Sequence, residues 1–199
     1  SDGASESYDS ARWAQVLCRR FVDDPEIDPA WLAAAVLDYE RHYDRDRMSW
    51  SAQAAFDRGS FATLLGVELG ATGARLLAVG DSLAVLADRG GMRDSFPYRR
   101  PEQFAARPLL LSTARERNAL LFDPARGALA RRDWDWSGLD SPRLLLMTDA
   151  LGQWLLGDPD GRLGALLALG SPAELDALVE RGRADGTMRR DDCTLLVLG

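Results

Sequence analysis

Leu144-Leu145-Leu146-Met147-Thr148-Asp149-Ala150-Leu151-Gly152-Gln153-Trp154-Leu155-Leu156 is the stretch on which the fold turns. Its first half, Leu144 to Thr148, is a short apolar run of the kind that forms a buried strand. Its second half, Ala150 to Leu156, predicts a helix. Asp149 stands between them. A carboxylate at a strand end can point into a cleft while the strand itself stays buried. The pattern recurs at Asp191, which precedes the apolar run Thr194-Leu195-Leu196-Val197-Leu198, and at Asp2, which precedes a small-residue turn opening the first helix. Taken singly, each aspartate also reads as a helix cap or a turn residue.

Working outward, the chain alternates blocks of helix and strand. Glu6 to Phe21 carries apolar residues at helical spacing. Asp28-Pro29 reads as an N-cap with proline in the first helical position, followed by the face Leu32, Ala35, Val36, Tyr39 and Tyr43. A third helix is expected from Trp50 to Arg58. Strands are expected over Phe61–Leu69, Arg75–Val79, Ser82–Ala87, Leu109–Ser112, Ala128–Trp134 and Thr194–Leu198, with Gly80-Asp81 as a hairpin turn. Ser171, Pro172 and Glu174 form a capping box ahead of a helix that buries Leu175, Leu178 and Val179. Helices and antiparallel hairpins in blocks predict an α+β layered domain spanning 1–199. Trp13, Trp31, Trp50 and Trp154 read as core anchors. The segment Arg89 to Arg100 reads as a solvated loop.

Composition removes several function classes. The chain of 199 residues suits one domain with a sizeable core. Its net charge of -7 argues against general nucleic-acid binding. No apolar run approaches a membrane span, and the first residues have no secretory pattern. Two distant cysteines, Cys18 and Cys193, form no disulfide framework and fit a cytoplasmic setting. The single histidine, His42, excludes multi-histidine zinc sites, and its place at a helix end argues against a catalytic role. The chain has no lysine, which excludes a Walker-type phosphate loop and lysine Schiff-base chemistry. Clustered carboxylates suit hard, oxygen-loving divalent ions instead.

The segments Ser1-Asp2-Gly3-Ala4-Ser5, Gly80-Asp81-Ser82, Thr148-Asp149-Ala150 and Asp191-Asp192-Cys193-Thr194 occur in the order found in the type 2C metal-dependent protein phosphatases. Phe61 to Gly66 looks like that family's strand after its second long helix. The resemblance spans almost the whole chain and is nearest to a bacterial branch whose first motif reads Asp-Gly-Ala, then Ser or Thr, then Glu. It implies an α-β-β-α four-layer sandwich of two antiparallel sheets flanked by helices. It implies two divalent cations, Mg²⁺ or Mn²⁺, with Asp2 bridging them, the Gly3 carbonyl on one, and Asp149 and Asp191 on the other. Thr194 would support the site, and Asp192 would stand beside it where Asn is commoner. The implied activity is hydrolysis of phosphoserine or phosphothreonine in a protein by a metal-bridged hydroxide.

The sequence also departs from the family. Ala4 stands where better-known members carry a histidine, with Glu6 nearby. Ala150 replaces the usual glycine after Asp149, and the strands that precede the first motif, with their phosphate-gripping arginine, do not appear. These departures imply a domain lacking its N-terminal strands, with Asp2 poorly fixed beside an open sheet edge. They also motivate a rival reading, a catalytically weak or inactive module acting in binding or regulation. A small-molecule phosphatase of the same fold is a third.

Overall fold

Helix signals in the first third of the chain are local, and the backbone follows them. The computed structural model describes residues 1–3, 7–123 and 129–199. Helix α1 (Ser10–Asp23) begins at Asp9, whose carboxylate accepts the Arg12 backbone N–H at 3.0 Å. Its start is therefore set by Asp9; Ala4 and Glu6 lie outside the described residues. Helix α2 (Pro29–Glu40) begins as expected at Asp28, which accepts the Trp31 N–H at 2.6 Å. Helix α3 (Trp50–Arg58) is capped by Ser49.

The strands come next in the chain. They are β1 (Phe61–Ala62), β2 (Leu64–Leu69), β3 (Gly73–Val79), β4 (Leu83–Asp88), β5 (Gly91–Phe96), β6 (Leu111–Ser112), β7 (Ala130–Asp135) and β8 (Arg143–Met147). Helices α4 (Asp149–Gly157), α5 (Pro159–Leu167) and α6 (Pro172–Ala184) follow, and β9 (Leu195–Leu198) closes the chain. The pairings β1–β6, β2–β3, β4–β5, β4–β8 and β8–β9 are antiparallel. The result is a mixed α+β fold with antiparallel sheets and, among the described residues, six α-helices. No helix among these residues is long and apolar enough to cross a membrane.

The contacts divide the chain into two compact units. The first comprises Ser1–Gly80 and Pro108–Trp134. There β1 pairs with β6, and β3 lies between β2 and β7. Its core gathers Trp13, Leu17, Trp31, Leu32, Val36 and Tyr39 from the helices against Leu64, Leu77 and Leu111. Trp13 is fully buried, and its indole N–H donates to the Leu111 carbonyl at 2.9 Å, so burying its one polar atom leaves nothing unpaired.

The second unit comprises Asp81–Arg107 and Asp135–Gly199. Its sheet has the order β5-β4-β8-β9. Strand β4 is buried along its whole length, which explains why Leu83-Ala84-Val85-Leu86-Ala87 is continuously apolar rather than alternating. Leu83 pairs with Met147, and Met147 in turn with Leu195, so the ends of β8 and β9 that carry the acidic residues lie side by side. Leu83, Val85, Leu145, Leu151, Leu155, Leu166 and Leu178 fill the core.

Several local expectations fail, each for a non-local reason. Gly80-Asp81 does not close a hairpin. β3 pairs with β2 and β7, while β4 pairs with β5 and β8, so this turn passes the chain from one sheet to another. The Arg89–Arg100 segment contains β5, turned at Arg89-Gly90, with Arg93 paired to Asp88 at 2.7 Å and Arg99 to Asp94 at 3.0 Å. The expected strand at Phe61–Leu69 is broken at Thr63 into β1 and β2, and of the strand expected from Leu109 only Leu111–Ser112 pairs. Ala128 lies outside the described residues; β7 begins at Ala130. Trp50 is 85% exposed and anchors no core. Both cysteines are free.

Candidate active site

Thr148 organises the acidic end of the second unit. It follows β8 directly, and its backbone N–H donates to the Thr194 carbonyl at 3.2 Å. Its hydroxyl donates to the Asp192 carbonyl at 2.9 Å and accepts the Thr194 N–H at 3.1 Å. One side chain thus extends the β8–β9 ladder past its last formal pair and holds the segment that carries Asp191.

Asp149 is the first residue of α4 and is only 9% exposed. A carboxylate there is favoured by the helix N-terminus. One oxygen accepts the Ala150 N–H at 2.6 Å, and the other is paired with the guanidinium of Arg189. Gly152, one turn on, lets α4 approach the sheet: a methyl there would lie 2.9 Å from the Leu83 Cβ. Asp191 sits on the segment between α6 and β9. One of its carboxylate oxygens accepts the Asp192 N–H at 2.9 Å, and the other lies 3.8 Å from the same Arg189 nitrogen that pairs with Asp149. Arg183 donates to the Asp191 carbonyl at 2.6 Å and fixes the backbone beneath it.

Asp81 adds a third carboxylate to this neighbourhood. It is 9% exposed, and burial pushes its pKa up. The positive charge of Arg189 works against that rise and the negative charge of Asp191 adds to it, so all three share one electrostatic environment. Burial, with the charge of Asp81, likewise raises Tyr98. Sequence reasoning assigned Asp81 only a turn and gave Arg189 no role. For Asp81 the signal was the family order of Gly80-Asp81-Ser82. For Arg189 there was none, since one arginine among 24 basic residues carries no mark of its own.

Asp2 and Gly3 belong to the first unit. The Asp2 N–H donates to Thr63 Oγ1 at 2.9 Å, and the Asp2 carbonyl accepts the Thr63 N–H at 2.8 Å. Gly3 forms an isolated bridge to Ala62, and a methyl at Gly3 would lie 2.6 Å from the Ser10 Cβ. The expectation of a loosely fixed Asp2 is therefore corrected at the backbone: Thr63, where the strand breaks, holds it on both sides. His42 is exposed, with Nδ1 donating to the Asp38 carbonyl at 2.9 Å.

Among the described residues, no group of three or more His, Cys, Asp or Glu side chains is arranged to hold a metal ion. What the structure does gather is a pair of carboxylates on one positive charge. The donor chemistry fits a hard divalent cation, since the gathered ligands are oxygens. Both carboxylates face the guanidinium of Arg189.

No family model matches this sequence, and no curated protein matches it significantly. Solved structures do. PppA of Pseudomonas aeruginosa, a key regulatory component of the T6SS, is 19% identical with a TM-score of 0.55, over 98% of this chain and 82% of that one. The catalytic domain of the serine/threonine protein phosphatase PstP, in complex with two manganese ions, is 17% identical with a TM-score of 0.53, over 94% and 78%. The serine/threonine phosphatase Stp1 of Staphylococcus aureus is 16% identical with a TM-score of 0.54, over 98% and 80%. The chain is structurally similar, over nearly its whole length, to bacterial type 2C serine/threonine phosphatases. At these identities the likeness is one of fold.

Proposed function

We propose that this protein is a metal-dependent phosphatase acting on phosphoserine or phosphothreonine in proteins, with the layered α-β-β-α arrangement of that fold and a cytoplasmic setting. The observation that carries the reading is the meeting of Asp149 and Asp191, from two distant strand ends, at one positive charge. PstP, with a similar fold, binds two manganese ions. Here Asp149 and Asp191 would hold a Mg²⁺ or Mn²⁺ ion. Such ions, when bound, supply charge stabilisation at the phosphoryl group and an acidified water. The chain's own contribution is positioning. Thr148 fixes the backbone on which Asp191 rides, Arg183 holds the Asp191 carbonyl, and α4 presents Asp149 from its first turn.

Hydrolysis of p-nitrophenyl phosphate and of a phosphothreonine peptide, with Mn²⁺ and with chelator, tests this directly. Turnover that requires Mn²⁺ and favours the peptide over a sugar phosphate is the expected result. Absence of metal-dependent turnover would leave the second reading, an inactive module of the same fold acting in binding or regulation. One observation favours that alternative: the carboxylate pair already has a cation, Arg189.

A further inference from the structure

Arg189 is built into its position rather than draped over the surface. The residue before it, Met188, is 5% exposed, and its N–H donates to the Gly182 carbonyl at 3.0 Å. Two residues on, the Asp191 carbonyl is held by Arg183. The side chain thus leaves a segment pinned on both sides. One terminal nitrogen pairs with Asp149 and lies 3.8 Å from Asp191. Its Nε is buried with no hydrogen-bond partner among the described residues. A guanidinium that forgoes one of its donors to reach two carboxylates is held there by charge, not by a fully satisfied fork.

We propose that Arg189 is a tethered competitor of the divalent cation: it neutralises Asp149 and Asp191 in the metal-free protein and must swing away before a metal can bind. This inference rests on the reading of those two carboxylates as metal ligands. The charge balance supports an exchange. Two carboxylates and one guanidinium leave a net charge of about -1 at the pair, whereas a divalent ion in its place leaves it neutral. The competition sets the apparent affinity. A ligand that binds only the minor, open state binds more weakly by the fraction of protein in that state. If Arg189 is in place roughly nine-tenths of the time or more, the penalty is about tenfold or larger. The device offsets the repulsion between two like charges in the metal-free protein, and couples metal loading to the motion of one side chain.

Calorimetric titration of the full chain with Mn²⁺ tests this without recourse to activity. Arg189→Gln should bind Mn²⁺ about tenfold or more tightly than the parent. Arg190→Gln, which removes the same charge from the exposed neighbouring residue, should change affinity less than about threefold, because an exposed charge is screened. Arg189→Met, which keeps the aliphatic stem, serves where the glutamine variant does not fold. Equal affinity in parent and Arg189 variants, or an equal gain in Arg190→Gln, overturns the proposal. Asp149→Asn separates that failure from failure of the underlying reading. If it weakens Mn²⁺ binding in both parent and Arg189→Gln, the carboxylate is a ligand whatever Arg189 does. If it changes neither, the ligand assignment falls and the competitor falls with it.

Discussion

Asp9 and Asp149 open helices in different units of the molecule, and their carboxylates are used in opposite ways. Asp9 caps α1. It accepts the Arg12 N–H at 3.0 Å and the Tyr43 hydroxyl at 2.5 Å, with the Arg12 guanidinium 3.9 Å away. Tyr43 is itself packed edge-on against Tyr8 and Phe56, so the hydroxyl arrives on a rigid aromatic platform. Asp149 takes one N–H from its own helix and a single displaceable side-chain cation, beside two other carboxylates. A carboxylate held mainly by neutral donors fixed by packing is structural. A carboxylate whose partner is a mobile charge shared with a second carboxylate is available for exchange. Position in the helix does not distinguish the two; the partners do.

The comparison breaks most visibly at Asp149. Asp149→Asn should lower Mn²⁺-dependent hydrolysis by at least about 100-fold, the upper end of what loss even of a supporting group at a metal site costs. Asp9→Asn should leave it within about threefold. Without metal, Asp149→Asn should also destabilise, because Arg189 then keeps only Asp191; the cost of a buried group losing a charged partner is about 1–3 kcal/mol. Repulsion among clustered carboxylates alone would predict the opposite sign, so denaturant unfolding of the metal-free protein decides between them.

A smaller effect is expected one turn into α4. Gly152→Ala should cost about 1–3 kcal/mol, because the added methyl meets the Leu83 Cβ at 2.9 Å and the helix must shift off β4. That shift moves Asp149, so Mn²⁺ affinity should fall with stability. Unchanged affinity would show that the site tolerates a displaced helix.

Asp9→Ala should cost about 1–2 kcal/mol, the loss of an N-cap, measured by denaturant unfolding. Its pH signature sharpens the contrast. Burial works to raise the Asp9 pKa, but the Tyr43 hydroxyl, the Arg12 N–H and the Arg12 charge outweigh it and hold it below the usual carboxylate value. A depressed folded pKa means the contribution is complete above the unfolded value, about 3.9, and is lost as pH falls through the lower folded one. Tyr43→Phe should therefore lower stability at neutral pH, where the contribution is complete, and flatten the profile below about pH 4, so that variant and parent converge in acid. A flat acid limb in the parent would show that the Tyr43 bond adds nothing.

Much of this was legible in the chain, and the reasons are local. Asp28-Pro29 and Ser171-Pro172 announced helices because capping and proline geometry involve only neighbouring residues. The same signature at Asp158-Pro159 opens α5, a helix the sequence reading did not single out. Glu174 reaches back to the Gly170 N–H rather than to Ser171, a small departure from the expected box. The apolar runs before Asp149 and after Asp191 placed two acidic residues at strand ends. Strand β5 was passed over because Arg93, Asp94 and Ser95 look soluble, yet it adds to a buried β4 through the ladder and needs little apolar side chain of its own.

By itself, then, the sequence determined helices α1, α2, α3, α4 and α6, most of the apolar strands, and which aspartates stand where they end, since each follows from periodicity, capping and turn chemistry within a few residues. Only the tertiary structure decided that Gly80-Asp81 joins two sheets, that β8 and β9 run side by side, and that Arg189 lies against Asp149 and Asp191. Apart from the nearness of Arg189 to Asp191, two residues on, those facts depend on contacts between residues tens of positions apart, and nothing beside Arg189 in the sequence announces Asp149.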